Sequence, residues 1–123
     1  MANEITVNAT LQGAKVFTAE SLSLGSTQFN MAGSNYQKAT QSIPTTAGGT
    51  AIKLGNLGSI GWFFIKNLDT TNYVQIMNAV SGTVMLRILP GGFACGYFDS
   101  VVVAPAALAN TAAVVIDYLM FEV

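Results

Sequence analysis

Six carboxylates, Glu4, Glu20, Asp69, Asp99, Asp117 and Glu122, are the side chains of this sequence that could do acid or base chemistry. Two would suffice for glycoside hydrolysis, where one acid protonates the leaving group and one carboxylate attacks or activates water. No spacing singles out such a pair. Histidine, the commonest general base, metal ligand and proton shuttle, is missing altogether, which removes every Ser-His-Asp and Cys-His arrangement. Cys95 is the one cysteine, so neither an intrachain disulfide nor a zinc site of clustered Cys and His can form. Its expected role is that of a small buried hydrophobe. No catalytic residue and no metal ligand is assigned, no cofactor is expected, and the chain is read as a non-enzyme.

Weaker chemical signals have plainer explanations. The run GNLGSIG (residues 55–61) has three glycines but lacks the spacing of a dinucleotide fingerprint, and a β-rich run rather than a helix follows it. It reads as a bent or bulged strand entry. Asn67, Asp69, Thr70 and Asn72 gather oxygens a hard cation could use, but with a single carboxylate they fit turn chemistry better. Trp62, Tyr73 and Tyr97 could form a sugar-stacking platform, yet aromatics at strand spacing more often serve cores or subunit contacts. Asp117 interrupts an apolar strand, where an unpaired charge is costly. Pairing with Arg87 or a lysine at a seam between subunits is the expected remedy.

The elements holding these residues belong to a chain of unusual composition. Over 123 residues it is 51% hydrophobic and only 9% charged, against roughly 25% charged in an average globular protein. Disorder is excluded by that apolar content. Spread over the roughly 6,300 Å² expected of a compact fold of this size, the charged side chains come to one per roughly 570 Å². A surface so poor in charge implies that a partner covers part of it. The formal net charge of −1 supplies no excess of cations to neutralise phosphates, so no nucleic-acid partner is expected. The opening MANEITVNAT has no basic segment followed by an apolar core, and the longest apolar stretches, 60–65 and 101–109, fall short of the ~18 residues that span a bilayer. No secretory targeting and no membrane partner are expected, and synthesis in a cytoplasm follows.

Short runs rich in Val, Ile, Thr, Phe and Tyr recur about every ten residues between Gly, Asn, Asp, Ser and Pro, which predicts an all-β chain: a single-domain antiparallel β-sandwich over residues 1–123. Ile5, Val7, Ala9 and Leu11 alternate with polar residues, as in a strand opening the core sheet. Residues 21–41 suggest two or three short strands broken at Gly25 and Gly33, and TTAGGT (residues 45–50) is a loop. IGWFFI (residues 60–65) is apolar on both faces, and KNLDTTNYVQI (residues 66–76) turns it back into a second strand. Val84, Leu86 and Ile88 alternate up to Pro90-Gly91-Gly92, a hairpin-like corner before FACGYF (residues 93–98). The closing AAVVIDYLMFEV (residues 112–123) is apolar on both faces apart from Asp117. Eight to ten strands result, a number that suits a jelly roll and also an immunoglobulin-like sandwich.

Three passages, KNLDTTNYVQI, the PGGF turn at 90–93 and ANTAAVVIDYLMFEV (residues 109–123), together resemble small virion structural proteins of tailed bacteriophages. The resemblance covers roughly residues 60–123, and in the first half only the MANEITV-like opening and the strand rhythm. It implies a capsid decoration, or cement, protein of jelly-roll-like fold, located on the virion's capsid surface and partnered by the major capsid protein. A homo-oligomer, with a trimer favoured, would bridge neighbouring capsid subunits, so that several weak contacts gain from effective concentration. Its seam is expected on the closing strand at Val115, Asp117, Leu119 and Phe121, with Trp62 and Phe64 beside it. The alternatives are a tail-associated fibre tip or baseplate protein binding a receptor or glycan, and a small sugar-active domain.

Overall fold

A computed structural model describes residues 4–15, 18–31 and 33–122, and the chain divides into two compact units, 1–32 and 33–123. Among the described residues there are ten strands, all paired antiparallel, and no helix. The expected sandwich is present, and it occupies the second unit.

The first unit is a hairpin of β1 (Ile5–Lys15) and β2 (Thr18–Phe29). Among the described residues the two strands pair only with each other, so the expectation that the opening strand begins the core sheet is corrected. Alternation specifies a strand with one apolar face, but it does not specify which sheet receives it. The pairing runs Ile5↔Phe29, Val7↔Thr27 and Ala9↔Gly25, then shifts to Thr10↔Ser23 and Leu11↔Leu22. Leu24 is the extra residue of this β-bulge. Gly25, at φ 70°, supplies the left-handed backbone beside it, and the Ser23 hydroxyl accepts from the Gly25 N–H at 3.1 Å. Gly25 therefore bends one long strand where a break was expected.

The second unit stacks two four-stranded sheets. One has the order β3 (Tyr36–Ile43), β10 (Val114–Glu122), β5 (Ile60–Asn67), β8 (Phe93–Tyr97). The other runs β4 (Thr50–Ala51), β9 (Ala106–Ala109), β6 (Val74–Met77), β7 (Val84–Ile88). The pairs β3–β10, β4–β9, β5–β8 and β6–β7 are nested, as in one long hairpin folded over itself. Consequently β5 and β6 lie in different sheets, and so do β7 and β8. The return expected after IGWFFI and the hairpin-like corner at Pro90 are both crossings from sheet to sheet, which residue spacing does not distinguish from hairpins.

The core fills the space between the sheets. From the first come Ile43, Phe63, Ile65, Val114, Ile116, Tyr118 and Met120; from the second come Val74, Ile76, Ile88, Ala107 and Ala109. Gly96 lies opposite Phe63, and a Cβ there would stand 3.4 Å from the ring. On this inward side Phe63 stacks on Phe98 at a centroid distance of 4.1 Å.

Side-chain amides do the work of backbone at the crossings. Asn67 is fully buried; its Nδ2 donates to the carbonyls of Asn72, Ile88 and Leu89 at 2.9, 3.2 and 3.2 Å, while Oδ1 accepts from Asp69 N–H at 2.9 Å. One residue thus ties the β5–β6 and β7–β8 crossings together. Gln41 similarly donates to the Ala51 carbonyl and accepts from Lys53 N–H, both at 3.0 Å. Each satisfies buried groups that would otherwise oppose folding. Tyr118 reaches from the core to donate its hydroxyl to the Lys53 carbonyl at 2.6 Å.

Candidate functional site

Alternation along the first sheet's strands sends every second side chain away from the core. On β10 these are Val115, Asp117, Leu119 and Phe121, and on β5 they are Trp62, Phe64 and Lys66. All six residues expected at a seam therefore share one outward face. Within the chain only one face of β10 is buried, so the expectation of two buried faces holds for the inward side alone.

Register arranges the face in rows. Lys38, Leu119, Phe64 and Cys95 form one, and Thr40, Asp117, Lys66 and Phe93 the next. Toward one end Phe121 pairs with Tyr36, and Trp62 with Tyr97. Three ring contacts tie the strands together: Phe64 stacks on Phe93 at 5.4 Å and 7°, Trp62 meets Tyr97 edge-on at 5.6 Å, and Tyr36 lies 6.4 Å from Phe121. The rings nevertheless remain open, with Tyr36 64%, Phe93 66%, Tyr97 55% and Phe64 41% exposed. A continuous aromatic face of this kind is what protein–protein contacts use.

A polar group sits within it. Asp117 accepts a short hydrogen bond from the Thr40 hydroxyl and faces Lys66 across the β10–β5 pairing. Lys38, Thr40, Phe64, Lys66, Asp117 and Leu119 line a shallow depression of about 500 Å³. Within the chain Arg87 lies on the other sheet, where its guanidinium is 4.1 Å from the Tyr73 ring centroid. Tyr73 is thereby separated from Trp62 and Tyr97, so these three do not form one sugar platform.

Cys95 is exposed in the middle of the aromatic face, which corrects the expectation of a buried thiol. Partial burial still pushes its pKa above the ordinary 9.0 by desolvation. FACGYF has apolar residues at both parities, so pattern alone does not tell which face is inward; Gly96 facing Phe63 decides it. Tyr36, Phe93 and Cys95 were thus missed as members of the face, although Phe93, Cys95 and Tyr97 have one common parity.

The outward side of the second sheet differs: its middle carries Gln75, Arg87 and Leu108, in register with one another. In the 67–72 segment Asn67 Oδ1 and Asp69 Oδ1 are engaged by the local backbone, while Asn72 Oδ1 accepts from the Thr111 hydroxyl at 2.6 Å. Asp69 accepts from Thr71 N–H at 2.7 Å and from Asn72 N–H at 2.5 Å, and these bonds, Asn72 first, hold its carboxyl below the ordinary value of 3.8. The turn explanation of this cluster is the one the geometry bears out. Compared with protein families, with curated proteins and with solved structures, the chain finds no match.

Proposed function

We propose that this chain is a structural subunit of a bacteriophage virion, a capsid decoration protein that oligomerises through the outward face of β3–β10–β5–β8 and bridges neighbouring capsid subunits. The observation that carries this proposal is the set of exposed aromatic and aliphatic side chains flanking the Thr40–Asp117–Lys66 row on that face, in a chain with only 9% charged residues. Monomeric proteins rarely leave such a patch in water. A homotrimer is the favoured assembly, its seam containing Trp62, Phe64, Val115, Asp117, Leu119 and Phe121. The nested strand pairing supports a jelly-roll assignment, a fold of eight strands in two sheets. Function would be mechanical: multivalent engagement of several capsid subunits makes weak individual contacts effective.

A tail-associated, glycan-binding role has one observation of its own, the depression that Lys38, Thr40, Lys66 and Asp117 line together with Phe64. Polar groups converging beside an aromatic ring suit a small polar ligand. Counting copies of the chain per particle against the major capsid protein, by quantitative mass spectrometry of purified virions, separates the two. Abundance near that of the capsid protein is expected. A few copies per particle would refute the decoration role and leave tail attachment.

A further inference from the structure

We infer that β8 is a docking edge for a second copy of this chain, the two β8 strands pairing antiparallel about a two-fold axis at Cys95. This contact is separate from the face seam proposed above. Each sheet of the sandwich ends in two edge strands, β3 and β8 in one and β4 and β7 in the other. Open edges invite pairing, and natural proteins blunt them with short strands, charge or bulges. β4 is only two residues long. β3 carries Lys38, and β7 carries Arg87 and a register shift in its pairing with β6. β8, with the sequence FACGY, has no charge, no proline and no shift.

Hydrogen-bond parity selects a second copy as the occupant. Asn67 N–H donates to the Gly92 carbonyl at 2.9 Å and Phe98 N–H to the Gly61 carbonyl at 3.0 Å, at the two ends of the β5–β8 register. Bonded and non-bonded positions alternate along an antiparallel pair, so Phe63↔Gly96 and Ile65↔Ala94 are the bonded positions between them. Phe93, Cys95 and Tyr97 consequently aim their N–H and C=O groups away from β5, and among the described residues no second strand pairs with them. That row is complementary to itself. With Cys95 opposite the partner's Cys95, Phe93 lies opposite the partner's Tyr97, and every one of these pairs exchanges both of its bonds. Any other strand would have to supply the same spacing, whereas a second copy supplies it by symmetry. Phe93 and Tyr97 are 66% and 55% exposed and become cross-strand neighbours, where aromatic pairs stabilise a sheet. Neither β8 strand brings a charge to oppose the contact. β8 has five residues, so the contact is smaller than the ~1,600 Å² of a standard interface, and the pairing is weak and concentration-dependent.

The test is amide-resolved hydrogen exchange on the full-length chain, in dilute and in concentrated solution. Exchange at Phe93, Cys95 and Tyr97 should slow by about tenfold or more on concentration, while Ala94 and Gly96, bonded to β5, stay protected in both. Leu119→Asp, aimed at the face seam, should leave that slowing in place. No slowing at the three amides would overturn the edge pairing, whatever the seam does. Slowing that is lost in Leu119→Asp would overturn it too, because the seam would then be closing those amides. The seam fails by itself if Leu119→Asp sediments as the unaltered chain does while the slowing persists. As a second measurement, Cys95→Pro removes one outward N–H and no bond to β5, whereas Cys95→Ala removes the thiol alone. Compared by sedimentation velocity in the Leu119→Asp background, the proline variant should associate about tenfold more weakly or worse, with its urea unfolding midpoint kept. Equal association of the two would overturn the pairing.

Discussion

Phe93 offers the cleanest separation of assembly from folding. Its ring stacks on Phe64 at 5.4 Å, yet 66% of the residue is exposed. If the proposed seam covers it, about 130 Å² of ring leaves water, which at ~25 cal/mol per Å² is about 3 kcal/mol for each seam. Phe93→Ser should therefore raise the dissociation constant of the oligomer by more than about a hundredfold. Unfolding of the isolated subunit should change by about 0.5–1.5 kcal/mol, the worth of the lost ring pair. Sedimentation velocity across dilutions reads the first quantity, and urea unfolding under dissociating conditions reads the second. A dissociation constant within threefold of the unaltered chain would refute the seam at Phe93, and with it the placement of that aromatic face between subunits.

Asn67→Ala leaves the carbonyls of Asn72, Ile88 and Leu89 without their shared donor, and should cost about 2–4 kcal/mol; a loss below about 1 kcal/mol in urea unfolding would show that water takes over these bonds. Cys95 should be alkylated by iodoacetamide when the protein is dilute, faster as pH rises toward and past 9.0 because desolvation holds the thiol protonated. In the assembled protein the rate should drop at least tenfold, and equal rates would place the seam elsewhere. Because the folded-state pKa of Asp69 is depressed below 3.8, the stability it supplies is complete above that value and disappears as pH falls through the lower, folded-state value. Asp69→Asn should flatten the acid limb of the stability–pH curve, measured by thermal unfolding; an unaltered acid limb would rule this out.

Period-2 alternation identified the strands well because each strand of the sandwich has one face in the core, and shifting by one residue would invert it. It also separated Phe63 and Ile65 from Trp62 and Phe64 as the two faces of one strand, although with both faces of IGWFFI apolar the pattern alone does not tell which is inward. Alternation carries no information about pairing partners, so β5 followed by β6 resembles a hairpin although the chain crosses between sheets at Asn67–Asn72. The marker of that crossing is Asn67 itself, a buried amide that replaces missing ladder bonds, and its role depends on carbonyls from residues 88 and 89. Cys95 was misread for a different reason. Its strand borrows the Phe63 side chain to fill the space above Gly96, so the smallest residue of the run, rather than the cysteine, points inward.

In the proposed oligomer stability and assembly would be separable, because they would use opposite faces of the same strands. Ile65, Ile116 and Met120 are wholly buried within one chain, so their contribution is complete before any partner arrives. Phe64, Leu119 and Phe93 keep part of their apolar area in water, and that remainder is available to association alone. Apolar area by itself would not fix how two copies meet, since hydrophobic attraction is non-directional. The row containing Thr40, Asp117 and Lys66 supplies direction. A carboxylate and an ammonium set opposite each other across one strand pair would tolerate a seam only in arrangements that avoid burying either alone, and an uncompensated buried charge costs several kcal/mol. In the proposed seam Asp117 would therefore disfavour alternative registers more than it strengthens the preferred one, a role that suits a single charge in an otherwise apolar outward row of β10.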